Sequence, residues 1–225
     1  MTPIMHYSPF TKVLIIVCIA FLMLFPHYLP LPFYSYALVC CLVIYLFLKR
    51  QGLRLTDMGL TKQGISIKAG VVGLCTGLIW LGFILWVYIP LVNRVAVTKP
   101  EGYTEYNFLI GNLPAYLMTL VASWIVGGVY EELAFRGFIR FGVEQLVAPI
   151  KYKLYIGVVV SSILFGLYHI QQGIFGVIGA TLGGLYWAVI VVKNRGDLWP
   201  AIFSHAVYDT AALTMIYLDI FPGQH

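Results

Sequence analysis

Long apolar stretches alternate along the chain with short polar segments rich in Lys and Arg. Seven stretches can be delimited, over residues 13–29, 33–48, 69–91, 113–138, 154–170, 174–192 and 198–218. A helix needs about 20 residues to cross the hydrocarbon core of a bilayer. The second and fifth stretches are short by that measure, so an eighth span or a re-entrant piece is left open. In lipid, closed barrels are the other way to satisfy the backbone, but barrel strands alternate apolar and polar residues. The run from Val13 to Leu24 has no such alternation. The pattern predicts an all-α, polytopic transmembrane helix bundle of about seven, or eight, spans. It forms one integral membrane domain over residues 1–225.

Composition sharpens this reading. Of the 225 residues, 60% are hydrophobic and 10% charged, against about 25% charged in ordinary soluble domains. So few charges cannot clothe a soluble enzyme, and an apolar chain of this kind is not disordered. The net charge of +5 is scattered between apolar runs rather than gathered on one water-facing patch, which argues against a nucleic-acid partner. The first apolar run is followed by Phe25-Pro26-His27 instead of a small-x-small cleavage site and is expected to be a retained span. Cys18, Cys40, Cys41 and Cys75 lie inside apolar runs without metal-ligand spacing.

With the N-terminus and Lys12 in the cytoplasm, the cytoplasmic segments hold twelve of the fourteen Lys and Arg residues, Arg136 included. The opposite side holds Arg94 and Lys99. This bias sets the expected orientation, in what the sequence reads as the inner cell membrane. Gly73 and Gly77, and Gly179 and Gly183, recur at the spacing that lets helices approach closely.

Five ionisable residues break the apolar pattern: Glu131, Glu132, His169, His205 and Asp209. A charged residue at the centre of a spanning helix costs about 2.5–3.5 kcal/mol on insertion scales. A set of them is therefore kept for a purpose or compensated by pairing. Glu132 and Arg136 are four residues apart, and Arg140 and Glu144 continue the row, so an acid–base–base–acid ladder runs along one helix face. Glu131 is turned about 100° from Glu132 and is left for other work. His205 and Asp209 are also four apart, so Asp209 can hold the His205 ring in one tautomer. Phe165 stands one turn before His169. The expected helix edges set His169 and His205 at different depths, which calls for other edges or for tilted, broken or staggered helices. If Glu131, His169 and His205 converge, they could bind Zn²⁺ with a water in the fourth position. Alternatively, Glu131 acts directly as general base, with His169 sharing the protons of the water.

The residues 131–209 carry a family resemblance. Glu131-Glu132-Leu133-Ala134-Phe135-Arg136, Phe165-Gly166-Leu167-Tyr168-His169 and His205-Ala206-Val207-Tyr208-Asp209 follow one another in the order of the three motifs of the CPBP (Abi) family. The chain resembles these CAAX-processing and bacteriocin-related intramembrane proteases, with a family-like core over 113–218. The resemblance implies an intramembrane endopeptidase whose site is sunk in the bilayer and opens toward the cytoplasm. Glu131 and His169 would activate the water, and His205 with Asp209 would stabilise the oxyanion. Glu132, Arg136 and Phe165 would brace the site. Family members are described both with and without a metal. The third motif ends here in Asp209 where Asn is commoner. An ionised carboxylate cannot donate to an oxyanion, so Asp209 must be protonated or must act on His205.

The expected partners are a membrane-tethered peptide or protein substrate and the lipid bilayer, with no nucleic acid. Two rival readings use the same residues. A non-catalytic immunity or scaffold protein would work without Glu131. A transporter or proton relay would use the buried acids and imidazoles, although no inverted repeat accompanies them.

Overall fold

The computed structural model describes residues 7–29, 34–96 and 101–222, with side chains from 105 onward in the last segment. Phe33, at the edge of the second apolar stretch, and Lys99 lie outside the described residues. Each of the seven apolar stretches is helical. The helices are α1 (Pro9–Tyr28), α2 (Tyr36–Arg50), α3 (Ile67–Val95), α4 (Leu113–Leu146), α5 (Lys153–Tyr168), α6 (Gly173–Lys193) and α7 (Trp199–Tyr217). Short 3₁₀ segments lie at Leu55–Met58, Glu101–Leu109 and Ile170–Gln172. The described residues contain no strand.

Four of these helices are long and apolar enough to cross a membrane: α1, α3, α4, and α6 with its leading 3₁₀ turn. This is fewer than the seven or eight spans expected from the apolar runs. The reason is physical: α2 has 15 residues and α5 has 16, short of the core thickness. α7 interrupts its apolar residues with Ser204, His205, Asp209 and Thr210.

Local chemistry explains the helix ends. Ser8, Ser66 and Asn112 accept hydrogen bonds from the backbone N–H of Thr11, Ala69 and Ala115, the N-cap arrangement that satisfies an otherwise unpaired donor. Pro9, Pro114 and Pro200 stand in first turns, where their missing N–H costs nothing. Pro90 lies deep within α3. The turn before it, Ile84–Tyr88, widens to π-helical bonding, which relieves the clash a proline makes with the preceding turn.

α4 is the centre of the bundle, and every residue from Tyr130 to Gln145 is buried. A helix buried all round belongs in the interior. α3 lies against α7 through Gly73 and Gly77. A Cβ on Gly73 would come within 2.3 Å of Phe203 Cβ, and one on Gly77 within 2.6 Å of the Ser204 carbonyl oxygen. The helix carrying His205 and Asp209 is thus set in place by a groove of glycines. Substituting leucine for Gly77 is expected to separate α3 from α7. It should cost at least the 1–3 kcal/mol typical of overpacking, read as lower thermal stability of the purified protein in detergent.

The basic segments are tied together at one end of the bundle. Leu198 N–H donates to the Gly59 carbonyl (3.1 Å), and Trp199 Nε1 to the Thr61 carbonyl (2.6 Å). Gly59 has φ +90°, and a Cβ there would lie 1.9 Å from the Gly196 carbonyl oxygen, so both the conformation and the contact require glycine.

Candidate active site

Glu131 and Glu132 come from a stretch of α4, Ser123–Ile139, with π-helical bonding. Such bonding is rare and is found frequently at functional sites. A π-helix is wider than an α-helix, so consecutive side chains diverge by less than the 100° expected from the sequence. The consequence is visible at His205, whose ring is approached by both carboxylates. Its Nδ1 is 2.9 Å from Glu132 Oε1, and its Nε2 is 4.0 Å from Glu131 Oε2.

Glu132 is fully buried and also pairs with Arg136 at 3.1 Å. The Arg136 guanidinium lies 4.1 Å from the centre of the Phe165 ring and 5.2 Å from that of Trp187, contacts that stabilise a desolvated cation. One turn on, Arg140 pairs with Glu144 and donates from Nε to the Arg136 carbonyl at 2.7 Å. The ladder along α4 thus forms, and its first carboxylate also serves another helix.

This changes the expected role of Asp209. The sequence spacing suggested that Asp209 orients the His205 ring, but Glu132 occupies that position at Nδ1. Asp209 Oδ1 instead stands 3.8 Å from Nε2, beside Glu131. A carboxylate only accepts hydrogen bonds, so Nδ1 of His205 is the protonated nitrogen. The ring plane is set by Trp187, which stacks on it with centres 3.9 Å apart and planes 18° apart. Trp187 is held in turn by its Nε1 donating to Ser204 Oγ at 3.2 Å.

His169 follows the last residue of the short helix α5. Its Nδ1 lies 2.9 Å from the Phe165 carbonyl oxygen. A carbonyl cannot donate, so in the neutral ring Nδ1 carries the proton and Nε2 is a free acceptor. Phe165 stands edge-on to both imidazoles, with ring centres 4.6 Å from His169 and 6.1 Å from His205. The short α5 reconciles the depths of the two histidines. It stops at His169, while α7 continues past His205.

Glu131, His169, His205 and Asp209 all line one cavity of about 630 Å³, a size that encloses a small molecule or a short peptide segment. No Lys or Arg lines it among the described residues. Tyr34 and Tyr106 stand on its wall outside the long helices. Burial pushes both phenols up from their ordinary range, so they remain neutral hydrogen-bond donors.

Zn²⁺ was the alternative use of Glu131, His169 and His205. Among the described residues, no three His, Cys, Asp or Glu side chains are arranged to hold a metal ion. The hydrogen bonds at both Nδ1 atoms leave Nε2 of each imidazole open, and Glu131 Oε2 stands 4.0 Å from that of His205. As arranged, the described residues do not form a metal centre.

Two contributors escaped sequence reasoning. Trp187 sits in a glycine-rich apolar helix with no motif to mark it. Gly127 lies one turn before Glu131, and a Cβ there would fall 2.6 Å from Asp209 Oδ2. Its doubled-glycine context, Gly127-Gly128, was the only signal. Changing Gly127 to alanine is expected to push the Asp209 carboxylate aside. In an enzyme site such a misplacement costs about tenfold to hundredfold in rate, so any hydrolytic turnover should fall while thermal stability changes little.

An uncharacterised protein of Mycoplasma capricolum is 21% identical over 128 residues, which cover 56% of this chain and 34% of that protein. The chain thus spans about a third of the length of this curated relative. No solved structure matches the chain. Residues 113–211, the segment that contains all five of the ionisable residues described above, match the family model for Rce1-like type II CAAX prenyl endopeptidases. Over this segment, which is less than half of the chain, the protein is similar to a family of membrane proteases, the CAAX-protease (CPBP) family.

Proposed function

We propose that the protein is an intramembrane endopeptidase that hydrolyses a peptide bond of a membrane-tethered substrate by water attack inside the 630 Å³ cavity. The observation that carries this reading is the meeting of Glu131, His205 and Asp209 within 4.0 Å contacts on a wall shared with His169. Glu131 is the base. It takes a proton from water as the water oxygen bonds to the scissile carbonyl carbon. The free Nε2 of His169 accepts the second hydrogen bond of that water and orients it. His205, when doubly protonated, donates from Nδ1 to Glu132 and from Nε2 to the developing oxyanion. As the C–N bond breaks, Glu131 returns the proton to the leaving amine. Asp209 contributes to the oxyanion site in its protonated form and otherwise holds His205 Nε2 in line.

The test is cleavage of a lipid-tethered peptide by the purified protein in detergent. Wild-type protein should cleave. Glu131→Gln and His169→Ala should not, while both remain folded. Full activity in either variant would remove the assigned roles. Retained biological function in a cleavage-dead Glu131 variant would favour the scaffold reading. Ion flux in liposomes would favour the relay.

A further inference from the structure

The cavity is lined from one end of the bundle inward as far as Glu131, Trp187 and His205. From α3 and the residue after it the cavity takes residues between Trp80 and Ala96, from α4 those between Thr119 and Glu131, from α5 the last residues, from α6 those between Phe175 and Trp187, and from α7 those from His205 onward. No residue of the segments 51–66, 147–152 or 194–198 lines it. Those segments and the helix ends beside them hold the basic clusters. They are gathered at the opposite end by the Gly59–Leu198 and Thr61–Trp199 hydrogen bonds and by Arg50 over the Phe10 ring. The cavity end has its own ties: Gly111 N–H donates to the Tyr217 carbonyl at 3.0 Å, and His27 packs on Tyr168.

A helix bundle in a membrane puts its basic loops in the cytoplasm. The expected orientation and the expected cytoplasmic opening therefore cannot both hold for this geometry. We infer that the cavity opens on the non-cytoplasmic side and takes an extended peptide segment from that side, from an exported or outward-facing membrane polypeptide. The inference about substrate rests on the protease reading, whereas the sidedness does not. The lining chemistry agrees with a peptide. Asn93, Gln171 and Gln172 supply amides that pair with backbone groups. With acids and no lysine or arginine on the described wall, neutral or basic segments are favoured over anionic ones.

The experiment uses the full chain with its four cysteines replaced by serine and a single cysteine introduced by Gln171→Cys or Lys62→Cys, both positions being exposed. A membrane-impermeant maleimide is applied to intact cells and to inside-out vesicles. Gln171→Cys should react in intact cells, and Lys62→Cys only in inside-out vesicles. Labelling of Gln171→Cys only in inside-out vesicles, or of both positions from one side, overturns the sidedness. In parallel, a lipid-tethered peptide added outside intact cells should be cleaved by wild-type protein and not by Glu131→Gln. Cleavage confined to inside-out vesicles overturns the inference. Outside labelling without cleavage, even in detergent, sinks the protease reading and leaves the sidedness standing.

Discussion

Replacing Glu131 by glutamine is expected to lower the rate of peptide cleavage by about 10²–10⁴-fold, the usual contribution of a positioned general base. The substitution is nearly isosteric. It leaves the Glu132–Arg136 pair, the Glu132–His205 hydrogen bond and the Trp187 stack untouched. Among the described contacts the Glu131 side chain has no hydrogen bond, only a 4.0 Å approach to His205 Nε2, so its loss should not loosen the fold. The expected signature is therefore a fall in kcat with an unchanged melting temperature. A parallel loss of stability and rate would mean that Glu131 is a scaffold group, and the catalytic assignment would fail.

The neighbouring carboxylate should behave in the opposite way. Glu132→Ala removes the partner of Arg136 and the acceptor at His205 Nδ1 at once, in a place where both partners are buried. Leaving a buried charge unpaired typically costs about 3–5 kcal/mol. The variant should express poorly or melt well below wild type, whatever its activity. A double replacement, Glu132→Leu with Arg136→Met, removes both charges and should recover part of that stability, because apolar substitutes for a buried pair are often neutral. It should not recover cleavage, since His205 would still lack its acceptor. If Glu132→Ala is as stable as wild type, the pair is not what braces the site.

The contrast between these adjacent residues was only half legible in the chain. The spacing of Glu132, Arg136, Arg140 and Glu144 follows from the period of a helix, and the ion pairs along α4 form at that spacing. What the spacing could not reveal is that Glu132 reaches across to α7 and displaces Asp209 from the tautomer-setting position. That depends on the widened π-helical stretch, which turns both carboxylates toward one imidazole. Trp187 was similarly hidden. An aromatic in an apolar helix has the same local pattern whether it faces lipid or stacks on a buried imidazole, as Trp187 does on His205.

Apolar runs, basic clusters and four-residue spacings are properties of contiguous segments, so helix positions, the ordered motifs and the ladder on α4 could be read from the residues directly. The number of helices long enough to cross could not, because an apolar run does not say where its helix is capped. Which end of the bundle the cavity occupies, and which carboxylate meets which nitrogen, are relations between segments far apart in the chain. They were decided by how closely Gly73, Gly77 and Gly127 let neighbouring groups approach, a matter of contact distance that no single helix contains.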